Sequence, residues 1–293
     1  MLAIGTLGAV VALTLGAAFV VTERTSSAGN DTLIAAGDIG VCGDPADEAT
    51  AAIVEGIPGT VAALGDNAYP NGSSDDFRNC YDPSWGQFKN RTRPVPGNHE
   101  YVTPAAAGYF AYFGLSVGTP GHSWYAYDLN GWRLYALDAN CGNIGGCGAG
   151  SAELTWLAAD LAANPRPCVL AYWHEPRWSS GLHGNDQDLD AIWRALSAAG
   201  TDIVLNGHDH DYERFVPMTA DGSAATAGGI REFVVGTGGV GLRDFATIDA
   251  TSTVRNSVTH GVLKLTLDAT GYAWQFLPVA PGTFTDSGTG TCG

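Results

Sequence analysis

Five apolar runs in this chain stop abruptly in short polar segments, and every one of those segments carries side chains that can bind metal. Thr32 to Ala36 leads into Gly37-Asp38-Ile39-Gly40, and Val61 to Leu64 into Gly65-Asp66-Asn67-Ala68-Tyr69. Pro94-Val95 leads into Gly97-Asn98-His99-Glu100, and Val169 to Trp173 into His174-Glu175-Pro176. Ile203 to Leu205 leads into Gly207-His208-Asp209-His210. Strands that deliver polar residues from their carboxyl ends are the usual way an open α/β sheet builds a site. The recurrence therefore predicts strands lying side by side, with the polar ends gathered at one edge.

Amphipathic stretches separate these runs. Leu189, Ile192, Trp193 and Leu196 follow i, i+3, i+4, i+7 spacing, and Leu154, Leu157 and Leu161 do the same, so both read as helices covering a sheet. Other segments are β only. Ser123 to Leu129 and Trp132 to Ala136 flank Asn130-Gly131, a strong hairpin signal. Glu232 to Val235, Val262 to Leu267 and Tyr272 to Leu277 add three strands, the last two joined through Asp268-Ala269-Thr270-Gly271. The expected fold is α/β (α+β): a four-layer α/β/β/α sandwich of two mixed β-sheets flanked by helices. No internal repeat or convincing linker divides residues 29–293, which read as one catalytic domain.

Ahead of it, Leu2 to Val21 is apolar and uncharged, and polar residues follow from Thr22 to Ala28. Residues 1–28 are read as a signal peptide or a membrane anchor. Ser26-x-Ala28 resembles a cleavage site, although a basic n-region is missing. Export fits the six cysteines, which suit an oxidising compartment. Cys141 and Cys147 flank a glycine-rich loop and are easily bridged; Cys42 with Cys80 and Cys168 with Cys292 are the remaining guesses. The expected location is secreted or extracytoplasmic, with membrane contact only through an N-terminal anchor. A net charge of -16 with no basic run argues against stable nucleic-acid binding, which needs Lys and Arg on phosphates. A small phosphorylated substrate can still reach a positive metal centre.

Singly, the motifs have bland explanations. Gly-Asp is commonly a turn, Asn98 a turn residue, His208-x-His210 a solvated loop and His174 a core histidine. Jointly they do not. Five of the seven histidines (His99, His174, His183, His208 and His210) lie in these segments or just after them. Two carboxylates, a phenol, an amide and three imidazoles at one sheet edge can hold two metal ions, a general device for hydrolysing phosphate esters. Gly236-Thr237-Gly238-Gly239-Val240-Gly241 lacks the Lys-Ser/Thr of a P-loop, so it is read as a turn after a strand that could line the pocket.

The order GDxG, GDxxY, GNH, a strand-end His and GHxH resembles the calcineurin-like metallophosphoesterases, over roughly Thr32 to Phe276. Tyr69, three residues after Asp66, narrows the resemblance to purple acid phosphatases. His174 through Gly184 looks like the small, single-domain type, and Gly207 through Arg214 looks closer to the larger plant enzymes. The resemblance implies Asp38, Tyr69 and His210 on a first metal, Fe(III). It implies Asn98, His174 and His208 on a second, Zn, Mn or Fe(II), with Asp66 bridging. A phenolate is a hard anionic donor suited to ferric iron. If Tyr69 were only a strand-end aromatic, a divalent Zn or Mn pair would be expected instead. His99 and His183 carry over as catalytic groups that stabilise phosphate oxyanions or protonate the leaving group.

The activity implied is hydrolysis of phosphate monoesters by attack of a metal-bound hydroxide, below neutral pH. Arg177, Arg214 and Arg243 are the candidates for a cationic end of the cleft that would favour a monoester. The alternatives are a phosphodiesterase on the same fold and a non-catalytic metal-binding surface protein.

Overall fold

A computed structural model describes residues 31–293. The apolar segment Leu2 to Val21 and the cleavage-like Ser26-x-Ala28 lie outside the described residues. Among the described residues, no helix is long and apolar enough to cross a membrane.

Two sheets form the centre. One has five strands in the order Ser287–Thr291, Gly271–Pro278, Gly261–Leu267, Thr32–Ala36, Thr60–Ala63, with only the last pair parallel. The other has seven: Tyr125–Leu129, Trp132–Ala136, Val169–Tyr172, Ile203–Asn206, Arg231–Val235, Tyr212–Phe215 and Ser252–Asn256. Its four middle members, Trp132–Ala136 to Arg231–Val235, run parallel, and antiparallel strands flank them.

Alternation along the strands produces the layers, because successive side chains point to opposite faces. Leu134, Leu170, Leu205 and Phe233 share one core with Leu33, Val61, Leu263 and Phe276 of the other sheet. Their neighbours Tyr135, Ala171, Val204 and Val234 pack instead with Leu157, Ile192, Trp193 and Leu196. Those last four belong to helix Ala152–Ala163 and to helix Asp190–Ala198. On the far side, helix Ala46–Glu55 lies against the five-stranded sheet through Ala51 and Val54. The result is the expected helix–sheet–sheet–helix arrangement.

The Asn130-Gly131 turn forms with both residues at positive φ, 47° and 89°, as a two-residue hairpin of this type requires. Pro94-Val95 departs from expectation. The run makes only isolated bridges, Thr92 to Val61 and Val95 to Leu64. Pro94 and Pro96 have no N–H, so the segment cannot continue a ladder. Three strands escaped the sequence reading: Tyr212–Phe215, Ser252–Asn256 and Ser287–Thr291. All three disulfides form as paired above: Cys42–Cys80, Cys141–Cys147 and Cys168–Cys292.

Candidate metal centre

The parallel strands of both sheets end at a common edge, and the backbone there is bent in an unusual way. Asp38, Asp66 and His208 have φ of 61°, 47° and 70°. Side chains other than glycine enter this region rarely, at a cost of about 1 kcal/mol or more. At Asp38 the left-handed turn is taken by the functional residue itself and not by the preceding Gly37. Gly37 supplies room instead, since a Cβ there would lie 3.1 Å from Leu64 O and 3.2 Å from Gly207 Cα. Backbone bonds hold the bent residues: Asp38 N donates to Gly65 O at 3.1 Å, His99 N to Asp66 Oδ1 at 2.8 Å and His208 N to Asp38 Oδ2 at 2.8 Å.

The side chains converge in two overlapping groups. Tyr69 Oη lies 2.9 Å from Asp38 Oδ1 and 3.5 Å from His210 Nε2, and His210 Nε2 lies 3.4 Å from Asp38 Oδ1. In the second group Asn98 Oδ1 is 3.0 Å from His208 Nδ1, and the His208 ring stands edge-on to His174 at 5.1 Å. Asp66 Oδ2 touches both groups, 2.9 Å from Tyr69 Oη and 3.3 Å from His174 Nε2. Metal–ligand bonds of about 2.0–2.2 Å place neighbouring ligand atoms roughly 3–3.5 Å apart, the spacing seen here.

Two further observations fit a metal. His174 Nε2 is fully buried with no hydrogen-bond partner, although Asp66 Oδ2 lies 3.3 Å away. The opposite ring nitrogens of His174 and His210 are tied to Leu64 O at 2.8 Å and Gly241 O at 3.1 Å. That leaves each Nε2 aimed at the carboxylates, the arrangement metal-binding histidines use. Among the described residues, Asp38, Asp66 and His174 form a buried trio with ligand atoms within 4.8 Å of one another. Cys168, Asp202 and Cys292 also lie close, but their sulfurs are joined in a disulfide and offer no thiolate.

The electrostatics agree. Burial alone would raise Asp38 and Asp66, yet the surrounding imidazoles hold both below the ordinary carboxylate range. Burial and the neighbouring His174 and His183 push His208 down to about 3, leaving it neutral and able to ligate. Burial and the two aspartates raise the Tyr69 phenol well above its usual value, so a cation is needed to displace its proton.

His99 and His183 border this cluster. His99 Nδ1 lies 2.6 Å from Pro70 O, and its Nε2 stands 3.8 Å from Asp66 Oδ2. The His183 ring packs on His208 at 4.2 Å, and its Nε2 lies 2.8 Å from Arg243 Nη1. Burial, and Arg243 beside it, lower the His183 pKa. The glycine-rich loop after strand Arg231–Val235 does line the site: Gly241 O meets His210, and a Cβ on Gly236 would come within 2.8 Å of Asp38 Oδ2.

Of the three arginines expected near the cleft, two are committed elsewhere. Arg177 pairs with Asp190 at 2.9 Å and stacks on Trp178, and Arg214 pairs with Asp286 at 2.6 Å. Their carboxylate partners are distant in sequence, so nothing local announced the pairing. Arg243 alone of the three reaches the site. The sequence reading also gave no role to Glu100, buried directly after Gly-Asn-His. It accepts from the backbone N–H groups of Asn67, Ala68 and Gly97 at 2.9, 3.1 and 2.8 Å, binding the Asp66 turn to the Asn98 turn.

Comparison with known proteins matches the family model "Calcineurin-like phosphoesterase" to residues 26–212. Purple acid phosphatase 15 of Arabidopsis thaliana is 29% identical over 215 residues, 61% of this chain and 40% of that protein. Probable inactive purple acid phosphatase 1 of the same plant is 22% identical over 272 residues, 77% of this chain and 42% of that protein. This chain thus spans less than half the length of these relatives. In fold it is similar to a purple acid phosphatase from yellow lupin (Lupinus luteus) seeds, with a TM-score of 0.71 at 20% identity, covering 88% of this chain and 53% of the other.

Proposed function

Since this chain belongs to the calcineurin-like phosphoesterase family, we propose that it is an exported phosphatase that hydrolyses small phosphate monoesters at a two-metal centre. Asp38, Tyr69 and His210 would hold one ion; Asn98, His174 and His208 would hold the other. The observation that carries this reading is Asp66 Oδ2, within ligand spacing of both Tyr69 Oη and His174 Nε2. A bound metal pair supplies Lewis acidity and an activated water to chemistry of this kind.

The protein's own groups do the rest. Asp38 and Asp66, held ionised, set the negative charge that two cations would balance. His99 is pinned through Nδ1 and one-third exposed, so its Nε2 is placed to give a proton to a departing alkoxide or to hold a phosphate oxygen. His183 packs on His208 at 4.2 Å, beside the Arg243 guanidinium. The three disulfides support export into an oxidising compartment.

The testing experiment is the visible absorption spectrum of the natively purified protein. A tyrosinate-to-iron charge-transfer band that disappears in Tyr69→Phe is expected, with Fe in the first site. A colourless protein with full metal occupancy would overturn the iron assignment and leave a divalent phosphoesterase. Turnover of an aryl phosphate well above that of its bis-ester is the matching expectation for substrate; the reverse order would make the chain a phosphodiesterase.

A further inference from the structure

The cationic side chain nearest the metal cluster has no carboxylate partner, in a chain whose net charge is -16. Arg78, Arg133, Arg166, Arg177, Arg194 and Arg214 are each neutralised by an aspartate. Arg243 takes part in no ion pair among the described residues; its one side-chain hydrogen bond there is Nη1 to His183 Nε2 at 2.8 Å. The adjacent Asp244 accepts from Ser257 Oγ at 3.1 Å instead. A guanidinium has five N–H donors, so four remain for something else.

The position of Arg243 is built rather than incidental. Its own N–H donates to His210 O at 3.0 Å, and Gly241 O meets His210 Nδ1 at 3.1 Å. Three residues on, Ala246 N donates to Ser180 O at 2.8 Å, on the segment that leads to His183. On the other side His260 Nε2 lies 2.9 Å from Val240 O. These contacts fasten the loop to both neighbours and hold the exposed guanidinium one imidazole ring away from His208.

We infer that Arg243 is a specificity-determining residue that binds a non-bridging oxygen of a dianionic phosphate. It would favour monoesters over diesters, and this rests on the monoesterase reading above. The chemistry is one of charge count. A monoester has a second ionisation near pH 6 and carries close to two charges above it, whereas a diester carries one and covers a second oxygen with carbon, so the comparison is made at neutral pH. An unneutralised guanidinium gains most from the former, by charge-assisted and bidentate hydrogen bonds. Inorganic phosphate, the product, shares this chemistry with the substrate, and the two are read separately below.

The test uses the metal-loaded protein and its Arg243→Ala, Arg243→Gln and Arg243→Lys variants. kcat and KM are measured for an aryl phosphate and for its bis-ester, and inorganic phosphate binding is measured by calorimetry. Arg243→Ala should lose about 10- to 100-fold in kcat/KM on the monoester, mostly through KM, a usual loss for one charged hydrogen-bond partner. The bis-ester should change by no more than about threefold, phosphate affinity should fall with the monoester, and Arg243→Lys should recover part of both. Arg243→Gln keeps a donor to His183 without the charge, and serves if the alanine variant folds poorly. Equal losses on both esters, or none on either, would overturn the inference and leave Arg243 as a support for His183. Loss on the monoester with unchanged phosphate binding would also overturn it. A wild-type protein that prefers the bis-ester would sink the monoesterase reading whatever the variants do. Should neither ester turn over, the phosphate titrations still decide whether Arg243 binds the dianion.

Discussion

Glu100 shows how much of the site depends on a side chain that would touch no metal. Its carboxyl fills three backbone N–H groups that the turns at Asp66 and Gly97 would otherwise leave buried and unpaired. Glu100→Ala should therefore cost about 3 kcal/mol or more, at roughly 1–3 kcal/mol per orphaned donor. Denaturant unfolding measures the loss, and metal content should fall with it. Burial and Asp66 push Glu100 up to about 8 in the metal-free folded protein. Glu100→Gln keeps one oxygen for the Asn67 and Ala68 N–H groups and should be milder than Glu100→Ala. The sequence made Asp38, Asp66, Tyr69, Asn98, His174, His208 and His210 legible because each is a chemically distinctive residue in a recurring context. Glu100 was not legible because its partners are backbone groups, which have no letter in a sequence. The left-handed turns at Asp38, Asp66 and His208 were hidden for a similar reason: a conformation forced by packing from another strand has no local signature.

At the scale of elements, the strands and helices that could be read were those with one buried face. Helix Asp190–Ala198 buries Ile192, Trp193 and Leu196 at the predicted spacing, and the central strands Val169–Tyr172 and Ile203–Asn206 are buried along their whole length. Strand Tyr212–Phe215 was missed because Glu213 and Arg214 interrupt its apolar pattern. Glu213 is nevertheless buried, accepting from Ser180 N at 2.8 Å, and Arg214 is paired to Asp286. The loop after strand Arg231–Val235 gives the prediction at this scale. A Cβ added at Gly236 would meet Asp209 O at 2.0 Å and Asp38 Oδ2 at 2.8 Å. Gly236→Ala should displace Asp38 without altering any proposed ligand. Metal bound per chain, read by elemental analysis, is expected to drop by at least half while the circular dichroism of the folded protein is retained.

For the whole molecule, buried carboxyls set the pH dependence of the metal-free state. Burial pushes Asp47 up to about 7 and raises Glu153 and Glu232 well above the usual range. One oxygen of each lacks a hydrogen-bond partner. The folded chain keeps these protons after the unfolded chain has lost them, near pH 4. The stability they contribute is complete below that value and is lost as pH climbs towards 7 and beyond. Asp38 and Asp66 act in the opposite sense below the ordinary carboxylate range, and His208, held down to about 3, does so up to the ordinary histidine value, one group against the several raised carboxyls. Metal-stripped protein should thus melt several degrees higher at pH 5 than at pH 8, as calorimetry would record. Unchanged melting across that interval would mean that these carboxyls ionise as freely in the folded chain as in the unfolded one.

The Cys168–Cys292 bridge joins positions 124 residues apart, and His174, His183, His208, His210 and Arg243 all lie between them. Between them too lies the exposed stretch around Ala224, Thr226 and Ala227. A protease that cut there would leave two fragments still tethered as one covalent unit, each at high effective concentration near the other. His174 and His208 would remain on the piece that begins upstream of the cut, and the glycine-rich loop with Arg243 on the other. A nicked molecule would therefore run as a single species until reductant was added, and could reassemble its centre without a bimolecular search.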